Sequence, residues 1–261
     1  MKLYSYGDSW TEGQGCYSEK ESLIKDRLVL QDFRNNYSWP MYLSALLKCN
    51  MENKGFSGRA NNLIFNDIIS DLRNGNIHKG DLVVVMWSSS LRDYVHFLPK
   101  GEWISWSSDE LRLLPKKFLE SYKFGDEKYN TFLKEYKGFF LQNMFNQNYY
   151  NIINQNYIVF LQKMLETYKV NYLMCDAFDF MVQTPNKSDD ITSLIDKEKY
   201  WEFSNKTLKD FLIGIDGDVW ENVESDEDNI SKHPNKLGYE LIAKELYRYI
   251  IETNIINKDY E

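Results

Sequence analysis

Three short stretches of the chain hold the residue types that nucleophilic catalysis needs. Near the start, Lys2 to Tyr6 reads as a short strand running directly into Gly7-Asp8-Ser9. A serine at a strand-to-helix turn presents its hydroxyl at the sheet edge, while backbone N–H groups of the turn point into the same space. Such a turn supplies a nucleophile and part of an oxyanion hole together. Taken alone, Gly-Asp-Ser is also ordinary turn chemistry, and the strand before it is what adds weight. The base must come from His78, His96 or His233, the three histidines present. His78 lies in a Gly/Asn-rich turn that suits a solvated loop, and His96 opens an irregular stretch beyond Arg92. His233 immediately precedes Pro234-Asn235 at the start of the last helix, and it is the residue assigned as base. A competing nucleophile is Cys175, which ends a strand and is followed by Asp176, although buried cysteines are commonly inert.

These residues need elements to hold them. Ser38-Trp39-Pro40 opens a helix, with Ser38 as N-cap, Pro40 in the first turn, and Met41, Leu43, Leu46 and Leu47 at helical spacing. A second strand is expected near Asn50 to Lys54, then Gly55-Phe56-Ser57-Gly58 and a helix through Leu63, Ile64, Ile68, Ile69 and Leu72. The run Leu82-Val83-Val84-Val85-Met86-Trp87 is the clearest strand, apolar on both faces as a buried parallel strand must be. A helix from about Tyr150 to Tyr168 leads to a strand from Val170 to Cys175. The amphipathic stretch Pro234 to Ile251 closes the chain. Gly13 and Gly15 follow in a loop, the stretch up to about Asn36 is polar and charged with no element assigned, and Thr184 to Asp228 is polar and loop-like with a helical middle. Strands alternating with helices imply right-handed crossovers and a parallel sheet, with ligands outside the carboxyl ends of its strands. Ser9, Gly58, Ser88 to Ser90 and Asp176 all follow strands and so gather at one edge. The expected architecture is a three-layer α/β/α sandwich around a mainly parallel, flavodoxin-like sheet. It forms one domain over residues 1–261, with an aromatic-rich, partly helical insertion at about 92–150 that is too long for a connecting loop.

Composition limits the function classes. With 31 Lys+Arg against 39 Asp+Glu, the net charge of −8 lacks the basic footprint of a nucleic-acid binder. The three cysteines, Cys16, Cys49 and Cys175, are far apart with no CxxC pair, so neither a disulfide framework nor a zinc site is expected and a reducing compartment fits. No cluster at metal-ligand spacing and no phosphate-binding glycine loop appears, so neither metal nor cofactor is expected. The N-terminus has no apolar signal region, and no window is apolar enough to span a membrane, which points to a cytoplasmic protein with no membrane partner. Aromatic residues reach 16%, including 7 Trp and 19 Tyr. Such rings pack cores, line ligand pockets and stack on sugar faces.

At this point a family resemblance becomes specific. Tyr4 to Gly13, YSYGDSWTEG, resembles the first signature block of the GDSL/SGNH hydrolases. Asn53 to Ile64, NKGFSGRANNLI, is similar to their second block, and His233-Pro234-Asn235 with Gly238-Tyr239 to the block that holds the catalytic histidine. The blocks span most of the chain and leave the central insertion unmatched. The resemblance implies that Ser9 attacks an ester carbonyl and His233 takes its proton and returns it to the leaving group. It also implies that the N–H groups of Ser9 and Gly58 hold the oxyanion, worth about 3–4 kcal/mol per donor. The family's third block places an Asn side chain after the central strand; here Trp87-Ser88-Ser89-Ser90 stands there, and Ser90 is the positional match. Asn61 and Arg92 rank behind it. The family's Asp three residues before the histidine is Ile230 here. Asp228, ahead of Asp226, is then the candidate acid, and a backbone carbonyl orienting a Ser-His dyad is the alternative. Asp8, Trp10, Asn61 and Arg92 are the candidate substrate contacts.

The expectation is a serine esterase acting through an acyl-enzyme on a small-molecule or carbohydrate ester, the sugar suggested by Trp103 and Trp106 in the insertion. Two other readings stay open: an acyltransferase on the same scaffold, whose water-excluding lid sends the acyl group to a sugar hydroxyl, and a carbohydrate-binding or structural protein with a degenerate site.

Overall fold

The computed structural model describes residues 1–16, 27–90, 92–97, 102–107, 147–182, 190–220 and 233–256. In chain order its elements begin with β1 (Lys2–Tyr6), the single-turn α1 (Ser9–Glu12), α2 (Arg27–Tyr37), α3 (Trp39–Leu47), β2 (Asn50–Asn53) and α4 (Asn61–Arg73). They continue with β3 (Leu82–Trp87), β4 (Arg92–Phe97), β5 (Glu102–Ser107), α5 (Gln147–Thr167), β6 (Asn171–Asp176), α6 (Leu208–Ile213) and α7 (Lys236–Glu252). Short 3-10 turns at Asp190–Leu194 and Lys197–Lys199 lie between β6 and α6.

Four strands form one parallel sheet in the order β2-β1-β3-β6. Strand order reverses between β1 and β3, because the chain goes first to one side of β1 and then to the other. A crevice opens at such a switch point, outside the carboxyl ends of the strands, and Ser9 lies there. In register, Leu3 faces Leu82 and Tyr6 faces Val85 across β1 and β3, and Trp87 faces Asp176 across β3 and β6.

The continuous apolar run of β3 now has its explanation. Side chains alternate across a strand, so Leu82, Val84 and Met86 enter one buried cluster and Val83, Val85 and Trp87 the other. The first cluster is closed by Trp39 and Leu43 of α3, Leu208 and Leu212 of α6, and Tyr239, Ile242, Leu246 and Ile250 of α7. The second is closed by Ile64, Ile68 and Leu72 of α4 and Ile158, Leu161 and Leu165 of α5. Each set recurs at three- or four-residue intervals, one stripe on one helix face. The protein is a three-layer α/β/α sandwich on a flavodoxin-like strand order. Each fully buried aliphatic side chain adds about 1.5–3 kcal/mol, and both faces of the sheet are filled this way.

Two stretches without a firm element in the sequence gain one in the fold. The polar stretch ending near Asn36 contains α2, which lays Phe33 and Tyr37 against the first cluster. Lys236 of α7 sits 4.0 Å above the Tyr37 ring. Within the expected insertion, the described residues form an antiparallel hairpin, β4 against β5, from Arg92↔Ser107 to Phe97↔Glu102, and the first turn of α5 at 147–150. Its Tyr, Val, Ile and Trp residues favour a pleated strand over a helix. Residues 108–146 lie outside the described residues. Among those described, no helix is long and apolar enough to cross a membrane.

Candidate active site

The turn after β1 is built by close approach. A Cβ on Gly7 would lie 2.1 Å from Thr11 Oγ1 and 2.9 Å from the Met86 carbonyl, so a side chain there would collide with both α1 and β3. Asp8 then caps α1, its carboxylate accepting the Trp10 N–H at 3.1 Å. The same carboxylate accepts the Ser88 hydroxyl at 2.7 Å and the Arg92 guanidinium at 3.0 Å, and it is fully buried. Ser9 is therefore the first residue of a helical turn pinned from beneath by an ion pair and a hydroxyl. Gly13 ends the turn with φ +94, the left-handed conformation that glycine takes without a steric penalty.

The loop after β2 is fastened to this turn. Asn53 accepts the Gly55 N–H at 2.9 Å and donates to the Thr11 carbonyl at 2.8 Å. Phe56 N–H donates to the Gly7 carbonyl at 3.1 Å. Glu12 receives the Ser57 N–H at 2.8 Å, the Ser57 hydroxyl and the Arg34 guanidinium. Gly55 must be glycine, since its Cβ would lie 2.3 Å from the Glu12 nitrogen. Gly58 takes φ +76, and nothing lies within 4 Å of where its Cβ would be. The N–H groups of Ser9 and Gly58 donate to no group among the described residues.

The histidine arrives from the far end of the chain, on a segment clipped to residues 218–220. Trp220 and Pro234 form an antiparallel bridge, and Asn235 N–H donates to the Val219 carbonyl at 2.9 Å. The Asn235 amide donates to the Asp218 and Trp220 carbonyls, both at 3.0 Å, and accepts the Gly238 N–H at 3.0 Å as the N-cap of α7. A Cβ on Gly238 would meet the Val219 carbonyl at 2.4 Å. Tyr239 Oη donates to the Gln14 carbonyl at 2.5 Å, tying α7 to the loop after the Ser9 turn. Together these contacts place His233 Nε2 3.0 Å from Ser9 Oγ, 224 residues away in sequence. That is within reach for proton transfer. In the tautomer protonated at Nδ1, Nε2 accepts the serine proton, and the pair can act as nucleophile and general base.

The other candidate residues fall into place less uniformly. Asp8 and Arg92, read as substrate contacts, are paired with each other inside the protein, and the Arg92 guanidinium also lies 5.6 Å from the Phe178 ring. Trp10, another candidate contact, is buried and packed against the rings of Phe178 and Trp220. Asn61 is buried with its amide turned to the end of β3, donating to the Ser88 and Ser89 carbonyls and accepting the Ser88 N–H. All four are thus occupied within the scaffold: Asn61 and Asp8 satisfy backbone groups at the end of β3 and the start of α1, Arg92 balances the buried Asp8 charge, and Trp10 fills the core. Ser89 donates to Asp179 at 2.7 Å, and Ser90 is buried with its carbonyl accepting the Asn154 amide at 2.9 Å. Cys175 is fully buried, its thiol directed at the Val85 carbonyl, and burial pushes its pKa well up. It is held as a thiol in the core. His78 is exposed at the amino end of β3, the opposite side from Ser9. His96 lies on β4 and Trp103 and Trp106 on β5. Asp226, Asp228 and Ile230 lie outside the described residues.

One ionisable group at this edge escaped the reading as an acid. Asp176, the last residue of β6, is buried, and burial pushes its carboxyl up to about 7. Two hydrogen bonds oppose that rise, from Tyr200 Oη at 2.5 Å and the Met181 N–H at 3.2 Å, and Asp179 nearby adds to it. Its place at a strand end was visible in the sequence; its partner Tyr200, 24 residues on, was not.

No protein-family model and no curated protein matches the chain. Among solved structures, the chain is similar to a protein assigned to the G-D-S-L lipolytic family from Desulfitobacterium hafniense DCB-2, at 15% identity over 95% of this chain and 98% of that one, with a TM-score of 0.41. It is also similar to the psychrotrophic esterase EstA from Pseudoalteromonas sp., at 12% identity over 96% and 97% of the two chains, with a TM-score of 0.45. A third is LAE5, an alpha/beta hydrolase enzyme from the metagenome of Lake Arreo, Spain, at 15% identity over 98% and 96%, with a TM-score of 0.46.

Proposed function

We propose that this protein is a serine esterase of the GDSL/SGNH type that works through an acyl-enzyme, with Ser9 as nucleophile and His233 as general base. The observation that carries the reading is the 3.0 Å approach of His233 Nε2 to Ser9 Oγ, on a turn held by buried contacts and a segment clipped to residues 218–220. Ser9 Oγ attacks the ester carbonyl carbon while its proton passes to His233. The carbonyl oxygen becomes an oxyanion, received by the N–H groups of Ser9 and Gly58, with Ser90 proposed as a third donor. The tetrahedral species collapses, the C–O bond to the alcohol breaks, and His233 returns the proton to the departing oxygen. Water then attacks the acyl-serine by the same route in reverse, releasing the acid and Ser9. Asp228 is proposed as the acid that orients His233. The alcohol is proposed to be a carbohydrate, on the strength of the aromatic-rich segment 92–150.

The test is labelling with a fluorophosphonate, which forms a covalent bond only with an activated serine, alongside release of p-nitrophenol from p-nitrophenyl acetate. Mass spectrometry should place the label on Ser9. Ser9→Ala and His233→Ala should each lose about 10⁶-fold in kcat, and the double variant no more than either. A label elsewhere, or Ser9→Ala at full activity, overturns the assignment.

A further inference from the structure

The segment that carries Gly58 also forms one wall of a groove that the reaction described above does not use. The groove has a volume of about 410 Å³ and lies open to solvent between the loop after β2 and the outer face of α4. Lys54, Phe56 and Arg59 contribute from the loop, and Asp67, Ser70 and Asp71 from the helix. Phe56 leaves 61% of its surface exposed, an apolar face left in water. Its exposure does not come from looseness, because its own N–H is bonded to Gly7 and its neighbours Gly55 and Ser57 are fixed on α1.

The polar groups around the ring are held in place and are neutral as a set. Arg59 grips Asp67 with two nitrogens at 2.5–2.9 Å, and its guanidinium lies 5.8 Å from the Phe56 ring centre. Lys54 reaches Asp71 at 3.6 Å and Glu52 at 2.6 Å, and Asp71 also accepts the Tyr6 hydroxyl at 2.7 Å. Two cations face two carboxylates across the groove, so no surplus charge remains to recruit an ionic ligand. Guanidinium N–H groups and carboxylate oxygens keep spare hydrogen-bonding capacity after pairing. A flat apolar face beside a rigid, charge-balanced array of donors and acceptors fits a pyranose ring, whose C–H face covers an aromatic ring while its hydroxyls both donate and accept.

From this geometry we infer that the groove between Phe56 and α4 is a subsite for a neutral sugar chain, adjoining the Ser9 centre through the Gly55–Gly58 loop. The inference rests on the esterase reading for its purpose, since it names the substrate's alcohol as a sugar, but its binding chemistry is independent of catalysis. Its test is therefore binding of unacylated chains. Hexasaccharides of β-1,4-linked glucose, mannose, xylose and N-acetylglucosamine are titrated against the full chain by NMR. At least one should bind, and Phe56→Ala should weaken that binding tenfold or more. Ser70→Tyr, which fills the groove from the helix side, should do the same. Phe160→Ala, which removes an exposed ring on α5 away from the groove, should leave binding unchanged. Both Phe56 and Ser70 are exposed, so their variants should fold, and circular dichroism checks this. Absence of binding by all four chains, or binding that neither groove variant weakens, overturns the inference. Preference for a sulfated chain over its neutral parent overturns it as well. A protein that binds a neutral chain at Phe56 yet fails to label at Ser9 would retain the subsite and lose the esterase reading.

Discussion

Replacing Asp176 by asparagine changes a buried acid into a group of the same shape that cannot ionise. The native carboxyl titrates near 7 against a reference of 3.8, because it has lost its water. Between those two values the folded state binds about one proton more than the unfolded state. Stability therefore falls as pH rises through this window, by at most 1.36 kcal/mol per pH unit. Three units set a ceiling of about 4 kcal/mol, fully expressed above about pH 8 and absent below about pH 4. The asparagine Oδ1 can keep both donors, Tyr200 Oη–H and Met181 N–H, since both address one oxygen of the acid. Its new amide N–H groups need acceptors and cost about 1–3 kcal/mol where they find none. The variant should thus be the less stable protein at pH 4.5, and the difference should move in its favour by several kcal/mol by pH 8. Urea unfolding of both proteins at half-unit pH steps gives that difference, and every other titrating group cancels in it. A difference that stays constant from pH 4.5 to 8 would falsify the claim that Asp176 is buried as an acid without a balancing charge.

Two further predictions concern how Ser9 and His233 are held. Asn235→Ala removes the cap of α7 and leaves the Asp218 and Trp220 carbonyls without their donor, so stability should fall by about 1–2 kcal/mol. Because His233 lies two residues before Asn235, esterase kcat should fall further than that stability loss explains; a variant with lower Tm and unaltered kcat would show that the clip does not position the histidine. Arg92→Met leaves the Asp8 carboxylate buried beside only Ser88 and Trp10, and should cost about 3–5 kcal/mol. Adding Asp8→Asn removes the stranded charge while keeping an oxygen for the Trp10 N–H, so the double variant should be more stable than Arg92→Met alone. If it is less stable by chemical denaturation, the pair is not held together by charge.

What could be read from the sequence follows from the range over which each signal acts. β3 declares itself because six consecutive apolar residues have only one economical home, a strand covered on both sides. α7 does so through its stripe, and Gly7-Asp8-Ser9 through the strand that ends on it. α2 is harder to see, because the residues it is shown to pack against the core, Phe33 and Tyr37, are separated by Arg34, Asn35 and Asn36, all polar. The candidate site divides along the same line. That Asp8, Asn61, Ser88 and Arg92 meet at one edge follows from each lying close to the end of a strand. Which of them face a ligand and which face each other depends on pairings 27 to 84 residues apart, and no local pattern encodes these. Strand ends need their backbone groups satisfied before they can present anything to a substrate. Asn61 therefore reads as a site residue in the sequence and serves as a brace in the fold. Asn235 and Gly238 reverse the case: as a motif they mark only the neighbourhood of a histidine, while in the fold one is the clip and the other the gap that let His233 reach Ser9.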